Sequence, residues 1–341
     1  MKLVTISTIR NESDILEAFV RYHLQFVDQM IIINHRSADS SGQILQNLKK
    51  EGLPIELTEE TSLELQQGLF LTYSMKKAVK DYGADWVIPI DADEFLAVSR
   101  EGSVREVMEE LPRDKVVKVP WRTYVPLPSD NFQEPNVLKR IQHFRSKENQ
   151  NLRKIMIPRS LAMKKNGLIA AGNHGFVRES FRKQKEFPYV HMDQLVMAHF
   201  PVRFSQQIMA KAFVGWLACL AKPNRLPTEN FHLKELYDRF KNGREISPEE
   251  LTSMALEYAT SSGANALTRK DIVHEPLVPE AGDLTLRYID SFMANPLPVL
   301  AQMAEEFAEA LGAIRRRDWR DGLSGRAQVS RWLNFWTKNK L

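Results

Sequence analysis

The segment Trp86-Val87-Ile88-Pro89-Ile90-Asp91-Ala92-Asp93-Glu94-Phe95 ends an apolar run in three carboxylates. An apolar run of that length reads as a buried strand. Packed acids at its mouth are costly unless something positive meets them. A divalent ion is the simplest such partner, and Mg2+ or Mn2+ suits hard oxygen ligands and the oxygens of a phosphate-bearing substrate. If the chain stays extended here, Asp91 and Asp93 lean to the same side and can share one ion. The competing reading is a solvated acidic turn. The strand before it, the third acid Glu94 and the following Phe95-Leu96 favour the ion.

Two further polar clusters follow apolar runs: Arg10-Asn11-Glu12 after Leu3–Ile9, and Asn34-His35-Arg36-Ser37-Ala38-Asp39 after Gln29–Asn34. Short polar side chains there either cap the next helix or hydrogen-bond a nucleobase or ribose. Arg10 either meets a phosphate or pairs with Glu12. His199, in Met197-Ala198-His199-Phe200-Pro201-Val202-Arg203, lies between a strand-like run and a helix start. His174 sits on a Gly-flanked turn, and His191 with Asp193 forms another polar knot. Spacings such as HxxxH or CxxC are absent. A lone histidine is more often structural than a ligand, so these residues alone leave both roles open.

The elements that must position these groups alternate in type. Leu3 to Ile9 predicts a strand buried on both faces. Asn11 predicts a helix cap, with Glu12, Asp14 and Glu17 in the early turns and a stripe of Ile15, Leu16, Phe19, Val20, Leu24 and Val27. A strand over 29–34, a short helix over 40–50, a weaker strand over 54–57, a long helix over 62–82 and a strand over 85–90 follow. This order implies a parallel sheet with right-handed crossovers. Ligands bind beyond the carboxyl ends of such strands, and three polar clusters fall at those ends. Residues 115–125 and 154–171 predict mixed or antiparallel strands, with a polar, Pro-rich mobile loop over 126–150. From Phe204 onward the pattern is helical, over 204–222, 232–242, 247–260, 283–293 and 297–316.

The chain has 341 residues, suiting one large domain or a domain with a substantial appendage. Its net charge of +4 is local: residues from Arg315 to the end carry eight Lys/Arg against two Asp, so the rest is slightly acidic. The body is therefore no nucleic-acid surface. The tail mixes Arg with Trp319, Trp332 and Trp336, which suits either anionic lipid head groups or Trp packed on the body with Arg in water. The single cysteine, Cys219, has no partner for an internal disulfide and suits a reducing compartment. The N-terminus is charged too soon for a signal peptide, and the longest later apolar run, Ala212 to Ala221, is far short of a membrane span. A cytoplasmic protein is expected; the lipid reading of the basic Trp-containing tail, slightly less favoured than Trp packed on the body, would add peripheral contact at the inner face of the membrane.

Three motifs in order carry a resemblance: Thr8-Ile9-Arg10-Asn11-Glu12, Asn34-His35-Arg36-Ser37-Ala38-Asp39, and Asp85 to Phe95 with Asp91-Ala92-Asp93-Glu94. Over roughly residues 1 to 205 the chain resembles bacterial glycosyltransferases related to family 2, in the branch marked by RNE, an NxxSxD-type loop and DxDEF. The resemblance implies an α/β fold of GT-A type: a doubly wound, mostly parallel sheet over 1–205 binding a nucleotide sugar, with a helical C-terminal region over 206–341. It implies Mn2+ or Mg2+ held by Asp93 with Asp91, and His199 as a later ligand. It implies donor contacts from Thr8, Arg10, Asn11, Glu12, Asn34, Ser37 and Asp39. The implied reaction is inverting transfer from a UDP- or GDP-sugar to a glycan or lipid-linked acceptor, as in surface-polysaccharide assembly. Inversion needs a base at the acceptor hydroxyl; Asp193 is the expected residue and Glu94 its competitor. A clear downstream Glu-Asp pair and the QxxRW motif of processive relatives are absent, which argues against a polymerising, membrane-embedded synthase.

Other classes fit less well. Aspartyl phosphatases place DxD after their first strand and usually carry Thr or Val where Phe95 stands. A nucleotidyltransferase shares the sheet but normally shows a Gly-rich basic loop, which does not follow Ile9. A dehydrogenase lacks its GxGxxG. A non-catalytic nucleotide-sugar-binding protein keeps the same metal site and stays open.

Overall fold

A computed structural model describes residues 1–61, 67–99, 101–178, 185–220, 231–260, 267–288, 304, 306 and 307. β1 (Leu3–Ile9), α1 (Leu16–His23), β2 (Gln29–His35), α2 (Ser41–Lys50), β3 (Ile55–Glu60), α3 (Gln67–Tyr82) and β4 (Trp86–Pro89) follow in the predicted alternation. β3, β2, β1 and β4 pair in that order, all parallel. Side chains of successive strand residues go to opposite faces. Leu3, Met30 and Ile32 accordingly pack with Phe19, Val20 and Leu45 from α1 and α2. Val4, Ile6 and Ile31 pack with Leu71, Met75 and Val79 from α3. β1, β2 and β4 are thus covered on both faces, which is why they read as apolar and β-branched runs.

Beyond β4 come β5 (Glu94–Val98), α4 (Val104–Glu110), β6 (Val116–Thr123), α5 (Val137–Arg140), β7 (His143–Arg145), β8 (Arg153–Pro158), α6 (Arg159–Ala162), β9 (Gly167–Ile169), β10 (Phe176–Arg178), β11 (Lys185–Glu186), β12 (Tyr189–His191) and β13 (Leu195–His199). The sheet continues from β4 through β8, β6 and β13 to β5. β8 runs antiparallel to β4 and β6, β13 runs parallel to β6, and β5 is antiparallel to β13. The carboxyl ends of β1, β2, β4, β6 and β13 therefore share one rim with the amino ends of β8 and β5. The result is a doubly wound, mostly parallel sheet of GT-A type.

The last described elements are α7 (Ser205–Leu220), α8 (Phe231–Lys241), α9 (Pro248–Glu257) and β14 (Ile272–His274). The chain divides into two compact units, Met1–Phe204 with Pro248–Ala294, and Ser205–Ser247 with Asn295–Leu341. In the second, α7 meets α8 through Phe213 and Tyr237, edge to face at 4.8 Å. In the first, α9 and β14 pack with the sheet unit, and β14 pairs antiparallel with β7.

The mobile loop expected over 126–150 is instead partly built. Val137, Leu138 and Ile141 enter the core, and buried Arg145 donates to the carbonyls of Leu256 and Tyr258 at 2.9 and 2.6 Å. The helix expected from residue 283 is also absent over 283–288, where the chain forms a strap on α1. The fully buried Glu17 carboxylate accepts the backbone N–H of Arg287 at 2.8 Å and of Tyr288 at 2.6 Å, and Arg21 neutralises it at 2.8 Å. The helix predicted over 297–316 and the basic Trp-containing tail fall almost wholly outside the described residues. Among the described residues no helix is long and apolar enough to cross a membrane.

Candidate active site

The loops after β1 and β2 are stitched together by the residues that the sequence marks for donor contacts. Asn11 adopts a left-handed backbone (φ 59°). Its N–H donates to Ser37 Oγ at 3.0 Å, and its Oδ1 accepts from the Ala38 N–H at 2.7 Å. It does not cap α1. Asp39 accepts from Ser13 and Ser41 N–H groups, both at 3.0 Å. Asn34 donates from Nδ2 to Glu59 at 2.8 Å, while its Oδ1 and the Thr8 Oγ1 are buried without a partner. Arg10 stands at the end of β1 on the same rim. Ser37, Asp39 and Asn11 thus spend their hydrogen bonds on loop structure, and Thr8 and Asn34 keep an unused polar atom there.

The acidic motif does not stay extended. Glu94 N–H bonds back to the Asp91 carbonyl at 3.1 Å, turning the chain between β4 and β5. The turn sends Asp91 and Asp93 to different partners, so the shared-ion geometry expected for the two acids is not what forms. Asp91 Oδ2 accepts from Lys154 Nζ at 2.7 Å, and its Oδ1 accepts from Gln67 and Asn173 at 3.0 and 3.1 Å. Lys154 is buried. Its ammonium also donates to Glu94 at 2.9 Å and to the Gly172 carbonyl at 2.7 Å, so three acceptors take its three protons. Burial alone would lower the Lys154 pKa, but Asp91 and Glu94 outweigh it and raise it above the ordinary value. Sequence reading missed Lys154. A single lysine heading the strand Arg153–Pro158 carries no spacing signal of its own.

Glu94 is fully buried. Its Oε1 also accepts from Trp121 Nε1 at 2.9 Å, and its Oε2 from the Asp91 N–H at 3.2 Å. Burial pushes this carboxyl up, with Lys154 the chief opposing charge.

Asp93 goes the other way. His199 is the register partner of Glu94 across the β13–β5 ladder, and the Phe200 N–H bonds to the Asp93 carbonyl at 2.8 Å. This pairing brings His199 Nε2 to 3.7 Å from Asp93 Oδ1, with both side chains nearly buried. The His199 ring stacks on Trp121 at 4.5 Å, and its Nδ1 is buried without a partner. Arg203 lies beyond, fully buried, with Nη1 at 3.9 Å from Asp93 Oδ2. It donates to Asp14 from Nε at 2.5 Å and to Glu12 at 2.6 Å. Desolvation disfavours its charge, but Asp14 and then Glu12 more than restore it. Glu12, expected at the donor, is therefore the counter-ion of Arg203.

Among the described residues no group of three or more His, Cys, Asp or Glu is gathered to hold a metal. Asp93 and His199 alone fit a two-ligand seat. A carboxylate oxygen and an imidazole nitrogen at this separation can both reach one ion at ordinary bond lengths of about 2.0–2.2 Å, leaving its other positions to water and phosphate. Asp91 does not join them while Lys154 holds it.

Asp193 stands elsewhere. It precedes β13 at the end opposite His199, and Leu195 and His199 alone are about 13 Å apart by strand rise. Its carboxylate is 73% exposed and bound to Arg153 at 2.7 Å.

No family model matches the chain, and no curated protein matches it. Among solved structures it is similar to residues 1–349 of TarS from S. aureus, at 11% identity over 71% of each chain with a TM-score of 0.36. It is similar to the mannosyltransferase PcManGT from Pyrobaculum calidifontis, solved with GDP-Man and Mn2+, at 13% identity over 91% of this chain and 80% of that one, TM-score 0.39. It is also similar to HddC from Yersinia pseudotuberculosis, solved with GMP-PN, at 12% identity over 58% of this chain and 93% of that one, TM-score 0.32.

Proposed function

We propose that the protein transfers a sugar from a UDP- or GDP-sugar to a hydroxyl of a glycan or lipid-linked acceptor, with inversion at the anomeric carbon. The observation that carries this reading is the Asp93–His199 pair, 3.7 Å apart and nearly buried on the rim where the strand ends and their polar loops converge. Mn2+ or Mg2+ is the ion that Asp93 and His199 would hold, and when bound it supplies charge stabilisation for a departing diphosphate. Arg203 keeps Asp93 oriented from the buried side. Thr8 Oγ1 and Asn34 Oδ1, unpartnered at the ends of β1 and β2, are the polar atoms left to meet the nucleoside. Lys154 neutralises Asp91 and Glu94, so Asp93 is the acid of the three that faces His199.

A nucleotidyltransferase would share this sheet. The segment after β1, Arg10-Asn11-Glu12-Ser13, lacks the Gly-rich loop that such chemistry uses to cradle phosphates.

A thermal-shift screen of nucleoside diphosphates and their sugars, with and without Mn2+, tests the reading. A ligand that binds only the folded state raises the melting point by mass action. One nucleotide is expected to stabilise the protein, and only when Mn2+ is present. No shift with any nucleotide or nucleotide sugar in Mn2+ would overturn it.

A further inference from the structure

The turn between β9 and β10 reaches the acidic tip from the opposite side and has no role in the donor site described above. Gly172 and Asn173 both adopt left-handed backbone conformations, at φ 76° and 61°. Two successive residues of that kind are uncommon, and the second is not glycine. The turn is held by Asn173 Nδ2 on Asp91, by Lys154 on the Gly172 carbonyl and by the Gly172 N–H on Gln67 at 3.1 Å. Asn173 is fully buried, yet its Oδ1 has no hydrogen-bond partner.

His174 completes the turn. Its Nδ1 lies 3.0 Å from the Arg153 carbonyl. A carbonyl only accepts, so Nδ1 carries the proton and Nε2 of the neutral ring carries a lone pair. Burial, and next the charge of Lys154, lower the His174 pKa and keep the ring neutral. Asp91 and a second histidine, His199, also act on it, with opposite and smaller effects. Trp121 holds the ring edge to face at 5.2 Å. A Cβ on Gly172 would lie 3.0 Å from His174 Cδ2 and 3.3 Å from Nε2, so glycine there gives the imidazole its room. His174 is only partly buried, and Nε2 has no partner among the described residues.

The two acids that the sequence suggests as bases are used otherwise. Glu94 is sealed and saturated by Lys154, Trp121 and the Asp91 N–H. Asp193 is exposed and tied to Arg153. Resting on the transferase reading above, we infer that His174 Nε2 is the base that receives the acceptor's proton, with Asn173 Oδ1 accepting a hydrogen bond from a sugar hydroxyl beside it. The acceptor oxygen bonds to the anomeric carbon as the bond from that carbon to the diphosphate oxygen breaks. The bonding pair leaves on the nucleoside diphosphate. The hydroxyl proton passes to Nε2, while Nδ1 keeps its own proton and goes on donating to the Arg153 carbonyl, which steadies the imidazolium.

The test uses the full chain, a panel of UDP- and GDP-sugars, Mn2+ and water as the acceptor. Release of nucleoside diphosphate is followed together with calorimetric binding of the same nucleotide. His174→Ala is expected to keep nucleotide affinity within about twofold while turnover falls about 10²- to 10⁴-fold, the usual span for a lost acid-base group. Added imidazole restores part of that turnover. His174→Asn, whose Nδ2 takes the place of the imidazole Nδ1 and can donate to the Arg153 carbonyl, shows the same loss and guards against a folding defect. Wild-type turnover in both variants, with binding intact, would overturn the role of His174 alone. Failure of the wild type to bind any nucleotide would overturn the transferase reading beneath it.

Discussion

Lys154 Nζ donates to Asp91 Oδ2 at 2.7 Å across 63 residues of sequence. That contact decides how the three acids of the motif divide between two sets of partners. Asp91 and Glu94 share the ammonium inside the protein, and Asp93 alone turns toward His199.

Replacing Lys154 by Met leaves two carboxylates at a buried site without their counter-charge. Removing one partner of a buried ion pair typically costs about 3–5 kcal/mol. The urea midpoint of Lys154→Met is expected to fall accordingly, and Glu94→Gln in the same chain should recover part of it. A single variant as stable as the wild type would show that Lys154 is not the counter-ion it resembles.

Asp93→Ala is expected to abolish nucleotide-sugar turnover with little change in melting temperature, because its neighbours Arg203 and His199 keep their other contacts. His199→Ala should weaken nucleoside diphosphate binding when Mn2+ is present and leave the metal-free titration unchanged. Calorimetry reads both. Turnover at the wild-type rate in Asp93→Ala would remove that residue from the chemistry.

His23 is fully buried, with Nδ1–H on the Phe19 carbonyl at 2.8 Å and Nε2 accepting the Leu96 N–H at 3.2 Å. Burial lowers its pKa from 6.5 to about 4. The unfolded chain therefore takes up a proton first as the pH falls. Native stability from this group is intact above pH 6.5, declines between 6.5 and about 4, and is flat below. The full loss is about 3 kcal/mol. Denaturant titrations across that window should show the decline in the wild type and its absence in His23→Gln.

Glu17→Gln should free the strap over residues 284–288. Hydrogen bonds to a charged group are worth about 1.5–3 kcal/mol, so the Arg287 and Tyr288 amides are expected to exchange about tenfold faster or more. Unchanged protection at those two amides would mean the strap is held by its Leu284, Leu286 and Tyr288 side chains alone.

The first half of the sheet was readable because it is buried on both faces. In Leu3–Ile9 and Gln29–Asn34 even Thr5, Ser7 and Asn34 are buried, and the helices between them show one apolar stripe each. The rim followed from that, since polar clusters at the ends of parallel strands have only one place to go. What the residues do there was less readable. Asn11, Ser37 and Asp39 look like ligand contacts by type, but Asn11 bonds across to the β2 loop instead of capping α1. Asp91 and Asp93 look paired by spacing, and a turn at Ala92 separates them. Lys154 and Asn173 reach the tip from strands and turns far along the chain, through an antiparallel pairing that local pattern does not encode. The 126–150 segment misled because its prolines outweighed Val137, Leu138 and Ile141, which anchor it.

β13 is a late strand placed inside an early sheet. It lies between β6 and β5, and β5 has no other neighbour in the sheet order. A nascent chain that has not yet emerged past residue 199 therefore holds β5 as an open edge, with Asp93 next to it and no histidine opposite. Such edges recruit other strands. The pairing of residues 195–199 thus closes that edge and brings His199 opposite Glu94 and beside Asp93 in the same event.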